Sequence, residues 1–346
     1  MNIHEFYMRR CFQLAELGKG NVSPNPMVGA VLVYNNRIIG EGYHAIYGGE
    51  HAEVACINNV TINDKIFIEH SVLYVSLEPC SHFGKTPPCS DLIIKSKIKK
   101  VVIAMTDPFK DVSGSGIKKL REAGIEVIEN VLNVQAEEIN RRFLCFHLKR
   151  RPYIILKWAK TADNFIGSGT KQRLIISNKY SNFLVQLWRG EEDAIMVGTN
   201  TALLDNPKLN NRSGIGKNPL RIAIDKTLRI PENYFLLDNS QSTIIINEVK
   251  CEITGNTKFI QIKKDQEFIN SIFDYLYSIN ISSIIIEGGY NLLSSIINKG
   301  IWDEARIITN TNLLCGSGIP SPLIKGCVYK TEFIETDKIE FIRNKA

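Results

Sequence analysis

The sequence predicts an α/β fold divided between two domains, and three observations predict it. The chain has 346 residues, more than one hydrophobic core usually serves. Short apolar runs of strand length alternate with amphipathic runs of helical length, the pattern of a sheet covered by helices. The string Lys149-Arg150-Arg151-Pro152 interrupts that alternation, placing a boundary between 1–149 and 150–346.

In the first domain, 4–17 carries Phe6, Tyr7, Cys11, Phe12, Leu14 and Ala15 at helical spacing, and Gly18 ends the run. Ser23-Pro24-Asn25-Pro26 leads into a buried strand at 28–33, and a turn at Asn35-Asn36 returns the chain along 37–44 as a hairpin. A helix is expected to start at His51 and a strand to fill 72–77, delivering Glu78-Pro79-Cys80 at its C-terminal end. Cys89 opens a helix over 90–97. A strand (100–105), loop (106–115), helix (116–123), strand (125–129) and a single helix (135–148) complete the domain. Ligands gather at strand C-termini in such sheets, where Asp107 and the 80–89 loop fall.

The second domain restarts with a strand at 153–160. An amphipathic helix over 177–192 carries Phe183, Leu184, Leu187 and Trp188, followed by strands at 194–198, 219–225, 243–247 and 282–286. The last runs into Glu287-Gly288-Gly289 and a helix over 292–298, a geometry that lets backbone N–H groups approach a phosphate. It is not the G-x-G-x-x-G fingerprint, and by itself it is an ordinary turn. Periodicity is weak over 226–265, where variable turns are expected.

Composition narrows the class. Hydrophobic content of 44% with 23% charged residues describes a globular protein. The net charge of +6 is not gathered into a nucleic-acid stripe, and the lysines of 95–100 read as a solvated helix end. The eight cysteines lack disulfide-framework spacing, and neither a secretory leader nor a membrane-length apolar run is evident, so a reduced cytoplasmic compartment is expected.

The chemistry lies between His51 and Cys89. His51-Ala52-Glu53 and the later Pro79-Cys80 with Cys89 follow the H-x-E…P-C-x-x-C signature of zinc-dependent deaminases, with a longer second spacer. A lone His-x-Glu is mostly chance, and two cysteines in a reduced chain are often small buried apolar residues. Together they supply one imidazole and two thiolates, a Zn²⁺ donor set that leaves a fourth position for water. Such water ionises near neutral pH, and Glu53 is close enough to move protons without ligating. Two alternatives stay open: a nucleic-acid base deaminase with an unrelated C-terminal domain, and a zinc-stabilised binding module.

The run Glu78-Pro79-Cys80-Ser81-His82-Phe83-Gly84-Lys85-Thr86-Pro87-Pro88-Cys89 resembles the zinc loop of the bifunctional riboflavin-biosynthesis deaminase/reductase family. Other zinc deaminases generally keep two residues between the cysteines; this chain has eight. The likeness extends to Ser23-Pro24-Asn25-Pro26, Gly40-Glu41-Gly42-Tyr43-His44, Leu156-Lys157-Trp158-Ala159, Arg221-Ile222-Ala223-Ile224-Asp225 and Glu287-Gly288-Gly289.

The resemblance implies a cytidine-deaminase-like three-layer α/β/α domain followed by a dihydrofolate-reductase-like α/β domain. It implies a small phosphoribosylated diaminopyrimidinone as substrate, deaminated at C2 by the first domain. NADPH then reduces the ribose to a ribityl chain in the second. Zn²⁺ would be held by His51, Cys80 and Cys89, with Glu53 as proton shuttle. Asn25, His44, Lys85, Thr86 and Asp107 match positions around the deaminase substrate, Lys85 near its phosphate; His82 reads better as loop support. Lys157, Arg189, Leu209, Arg212 and Glu287 match the reductase substrate site. Lys160, Ile175, Thr201, Asp205, Gly288, Gly289, Tyr290 and Asn291 match the NADPH site. No nucleic acid or membrane partner is implied, and a homo-oligomer, dimer or tetramer, is expected.

The chain also departs from the family. Ser-x-Asp-Gly is Thr161-Ala162-Asp163-Asn164, Trp-Ile-Thr is Ile175-Ile176-Ser177, and the second aspartate of Asp-Asp-Pro is Asn206. Asp-Pro-Asn-Pro is Asp107-Pro108-Phe109-Lys110. Most of these changes fall on the reductase half; the zinc ligands carry none.

Overall fold

The structure, a computed structural model, describes residues 2–83, 87–108, 114–170, 173–263 and 267–345. The chain divides into two compact units, Met1–Arg150 and Arg151–Ala346.

The first unit runs α1 (Ile3–Glu16), β1 (Gly29–Tyr34), β2 (Arg37–Tyr43), α2 (Ala52–Asn58), β3 (Val72–Val75), α3 (Cys89–Lys95), β4 (Lys100–Ile103), α4 (Ser115–Glu122), β5 (Glu126–Ile128), α5 (Asn133–Ile139) and α6 (Arg141–Lys149). Its sheet has the order β2-β1-β3-β4-β5, with β1 antiparallel to both neighbours and β3, β4 and β5 parallel. Alternation along each strand splits the core into two layers. Ala30, Leu32, Leu73 and Val75 pack with Ala52 and Cys56 of α2, Ile93 of α3 and Leu120 of α4. Val31, Val33 and Tyr74 face the other way, onto Tyr7, Met8, Cys11 and Phe12 of α1 and Ala136 of α5. The three-layer α/β/α arrangement expected from the sequence is therefore present. A Cβ on Gly42 would lie 2.2 Å from the Cys56 nitrogen, so only glycine lets α2 seat this closely on β2.

The single helix expected over 135–148 is two helices. Asn140, buried, points its amide at Met27: Oδ1 accepts the Met27 N–H at 2.8 Å and Nδ2 donates to the Met27 carbonyl at 3.1 Å. Satisfying that distant backbone outweighs continuing the helix, and Asn140 leaves helical geometry at φ −94°, ψ 16°.

The second unit comprises β6 (Tyr153–Thr161), β7 (Phe165–Gly167), α7 (Lys179–Glu191), β8 (Ala194–Gly198), α8 (Thr199–Asp205), β9 (Leu220–Ile224), β10 (Thr243–Asn247), β11 (Glu252–Thr254), β12 (Thr257–Gln261), α9 (Phe268–Ser278), β13 (Ser283–Ile286), α10 (Tyr290–Lys299), β14 (Glu304–Asn310), β15 (Ile319–Pro320), β16 (Cys327–Ile334) and β17 (Asp337–Arg343). Ten strands form one sheet, β11-β12-β10-β9-β8-β13-β6-β14-β17-β16, parallel from β12 to β14. Ile154, Met196, Ile222, Ile246 and Ile286 pack on Ile272 and Phe273 of α9 and Ile296 of α10. The stretch 226–265, expected as turns, adds the hairpin of β11 and β12 to the sheet beside β10. Its signal is weak because β11 is exposed throughout and so shows no apolar face. Exposure likewise masks β16 in the sequence.

Candidate active sites

In the first unit α2 begins at the metal-type cluster. His51 is its N-terminal flanking residue, and Glu53, only 4% exposed, lies in its first turn. Cys80 follows β3, and Cys89 is the first residue of α3. His51 Nδ1 lies 3.2 Å from Cys89 Sγ and 3.6 Å from Cys80 Sγ, and the three ligand atoms all lie within 4.8 Å of one another. A tetrahedral Zn²⁺ site spaces nitrogen and sulfur ligands by about 3.5 Å, so the cluster fits the ion. Hydrogen bonding from Cys89 and from His51 lowers the Cys80 thiol to about 4, while the same bond and burial push Cys89 up. Both sulfurs bind a metal as thiolates, so metal binding would release their protons. Burial, then the Cys80 thiolate, pushes the Glu53 carboxyl up to about 7; a bound dication would oppose that by favouring the carboxylate.

The cluster opens into a cavity of about 440 Å³ lined by Asn25, His44, His51, Glu53, Cys80 and Asp107 among others. His44 is buried, which lowers its pKa, and is held as the Nδ1–H tautomer. Its Nδ1 donates to the Glu50 carbonyl at 2.8 Å, leaving Nε2 to accept from Asn25 Nδ2 at 3.2 Å. The expected residues Asn25, His44 and Asp107 are therefore gathered at one cavity, while Lys85 and Thr86 lie outside the described residues, as do Phe109 and Lys110. His82 lines the same cavity. Phe143 and His147, also in the lining, were not legible in the sequence: they come from α6, and only the tertiary fold brings that helix to the site.

The second unit holds a charged cluster behind the C-terminal end of β13. Arg189 of α7 grips Glu287 with Nε to Oε1 at 2.8 Å and Nη2 to Oε2 at 2.8 Å, and Lys157 Nζ stands 3.9 Å from Oε2. Burial would raise Glu287, but Arg189 and Lys157 outweigh it and bring its pKa down to about 2. Arg212 also acts on this carboxylate through its charge, while its Nη1 donates to Asn210 Oδ1 at 2.8 Å. Leu209 is 2% exposed and holds φ 51°.

One cavity adjoins the cluster, and a second adjoins the first. One, about 270 Å³, is lined by Lys157, Ile175, Thr201, Asp205, Glu287 and the Gly288–Tyr290 turn; the other, about 710 Å³, includes Asn291. They share Thr201, Leu204, Gly289, Tyr290 and Ile319. Of the expected residues, Arg189, Leu209, Arg212 and Lys160 line neither cavity, and Lys160 instead bonds Asn164 Oδ1 at 2.8 Å. Arg173, which sequence reasoning missed, lines the smaller cavity 3.7 Å from Asp205.

Two departures from the family have local explanations. Asn164, in place of glycine, sits at φ 65°, and asparagine is among the non-glycine residues that best tolerate the left-handed region. Asn206 ends α8 at φ 38°, and its Oδ1 accepts the Phe235 N–H at 2.9 Å. Asp163 lies in the tight turn after β6. Its carboxylate accepts the Thr161 hydroxyl at 2.5 Å and the Gly316 N–H at 2.7 Å, and these bonds hold its pKa down to about 2.

Comparison with known proteins agrees with this geometry. Residues 1–105 match the cytidine and deoxycytidylate deaminase zinc-binding region, and residues 152–329 match the RibD C-terminal domain. The chain is 36% identical to the riboflavin biosynthesis protein RibD of Actinobacillus pleuropneumoniae, over 92% of this chain and 86% of that one. Against the RibD of Aquifex aeolicus the figures are 37%, 92% and 89%. A crystal structure from Thermotoga maritima superposes with TM-score 0.90 at 34% identity, covering 99% of both chains. That protein is described as a diaminohydroxyphosphoribosylaminopyrimidine deaminase/5-amino-6-(5-phosphoribosylamino)uracil reductase. Carrying the deaminase zinc-binding region at one end and the reductase domain at the other, the chain belongs to the RibD family of riboflavin-biosynthesis proteins, bifunctional enzymes that join a deaminase and a reductase.

Proposed function

We propose that the chain deaminates 2,5-diamino-6-ribosylamino-4(3H)-pyrimidinone 5′-phosphate and then reduces the ribosyl group of the product with NADPH. The observation that carries the first step is the meeting of His51, Cys80 and Cys89 at one cavity with the buried carboxyl of Glu53. Zn²⁺ on those three ligands would supply a Lewis acid and a water ionised near neutral pH. Glu53 would take the water's first proton and pass it to the ring nitrogen, then carry the second to the departing amine so that it leaves as ammonia, the work of a positioned acid–base carboxyl. His44, held as the Nδ1–H tautomer, fixes the amide of Asn25 at the cavity wall, where that amide can meet the pyrimidine.

In the second unit NADPH would supply the hydride. The Gly288-Gly289 turn and the start of α10 offer backbone N–H groups to its phosphates, with Thr201 alongside. Lys226, Arg229 and Lys299 line the larger cavity, whose described lining contains no acidic residue, which favours a cofactor with an additional phosphate. Lys157, Arg189, Arg212 and Glu287 make up the substrate side. A dimer or tetramer in the cytoplasm is the setting we infer; no helix among the described residues is long and apolar enough to cross a membrane.

The test is a paired assay on purified protein, following ammonia and NADPH absorbance together. Both signals support the reading. Ammonia without NADPH consumption rejects the reductase half. Neither signal in zinc-loaded protein, with RNA binding that falls steeply with salt, would favour a nucleic-acid deaminase instead.

A further inference from the structure

Glu78 stands two residues before Cys80 and is 5% exposed, and its carboxylate is spent on backbone N–H groups. Oε2 accepts the N–H of Asp107 at 3.1 Å and of Gly114 at 3.0 Å. Oε1 accepts the N–H of Gly116 at 2.9 Å and of Ile117 at 3.2 Å. Gly116 and Ile117 stand in the first turn of α4, whose flanking residue is Gly114 and so has no side chain to cap it. Glu78 caps that helix from another part of the chain, and the same carboxylate ties down the backbone of Asp107, a residue of the cavity wall.

Two further contacts bring α4 to the zinc loop. A Cβ on Gly116 would lie 2.0 Å from the Pro79 carbonyl oxygen, so helix and loop backbones are in direct contact. Ser81 Oγ, next to Cys80, meets Ser115 Oγ at 2.6 Å.

We propose that Glu78 is a positioning residue for the deaminase substrate: it locks the Asp107 segment and the start of α4 to the zinc loop, so that metal and pyrimidine are presented in one fixed geometry. This rests on the deaminase reading above. The chemistry of the side chain makes it testable without removing the residue's bulk. All four partners are donors, so a carboxylate satisfies them with two acceptor oxygens, whereas a carboxamide turns an NH₂ toward one pair. The capped helix start, with its dipole, retains the remaining oxygen, and the Asp107 and Gly114 pair is released.

The experiment compares full-length wild type and Glu78→Gln for zinc content, ammonia release, NADPH oxidation with the deaminated product as substrate, and amide hydrogen exchange. We expect full zinc and unchanged NADPH oxidation. KM for the pyrimidine should rise about tenfold, as for loss of a hydrogen bond to a charged group, with kcat changed far less. Exchange should accelerate at Asp107 and Gly114. Unchanged KM overturns the proposal, as does zinc loss in step with activity, which would make Glu78 merely structural. Should wild type release no ammonia, the deaminase reading fails separately; exchange then decides, and unchanged protection at the four amides overturns the locking role. If Glu78→Gln does not fold, Glu78→Asp, with the charge kept and one methylene less reach, takes its place under the same expectations.

Discussion

At Glu53 and Glu287 the neighbours shift two carboxyls in opposite directions. Burial, and then the Cys80 sulfur, raises Glu53 to about 7. Glu287 has Arg189 and Lys157 and is lowered to about 2. Glu53→Gln keeps the shape and removes the titrating group. Ammonia release should fall by roughly 10²–10⁴-fold, the usual worth of a general acid–base, with zinc content by atomic absorption unchanged. For Glu287 the sign follows from the depressed value. Its contribution is fully present above the ordinary carboxylate range near 4 and is lost as pH falls toward about 2. Glu287→Gln should therefore flatten the acid limb of the stability profile in that window. At neutral pH it should cost on the order of 3 kcal/mol in urea unfolding, because Arg189 and Lys157 lose their counter-charge.

Among elements, backbone conformation accounts for two of the departures from the family pattern, Asn164 and Asn206. The turn after β6 needs a left-handed residue, and Asn164 meets that need at φ 65°. Asn164→Ala should lower stability by about 1 kcal/mol, while Asn164→Gly should stay within roughly half of that, as read by denaturant midpoint. Periodicity made most helices and several of the buried strands legible, because each buries one face, but the sequence reading placed nothing on α9, β14 or β17. It failed at Asn140, where the deciding partner, Met27, is 113 residues away. It failed again at β11 and β16, which lie at the two sheet edges and expose most of their side chains.

For the molecule as a whole, two compact units carry two chemistries, so damage to one should spare the other. The Glu53→Gln protein should still oxidise NADPH when supplied with deaminated substrate. Preference between NADPH and NADH belongs to this scale as well, since Lys226, Arg229 and Lys299 come from two separate segments of the second unit. Arg229→Ala with Lys299→Ala should raise KM for NADPH about tenfold and leave KM for NADH nearly unchanged in steady-state assays.

The cluster of His51, Cys80 and Cys89, with Glu53 beside it, could be anticipated from the chain alone, because residue type and local spacing suffice to suggest it. The α/β class was equally readable, because strand and helix periods differ. Which distant groups meet was decided only in three dimensions. The grip of Arg189 on Glu287, the return of α6 to the deaminase cavity and the four amides gathered by Glu78 each join residues distant in sequence. A side chain's type states what it can bond to, but its partner is chosen by packing, and packing is a property of the folded chain.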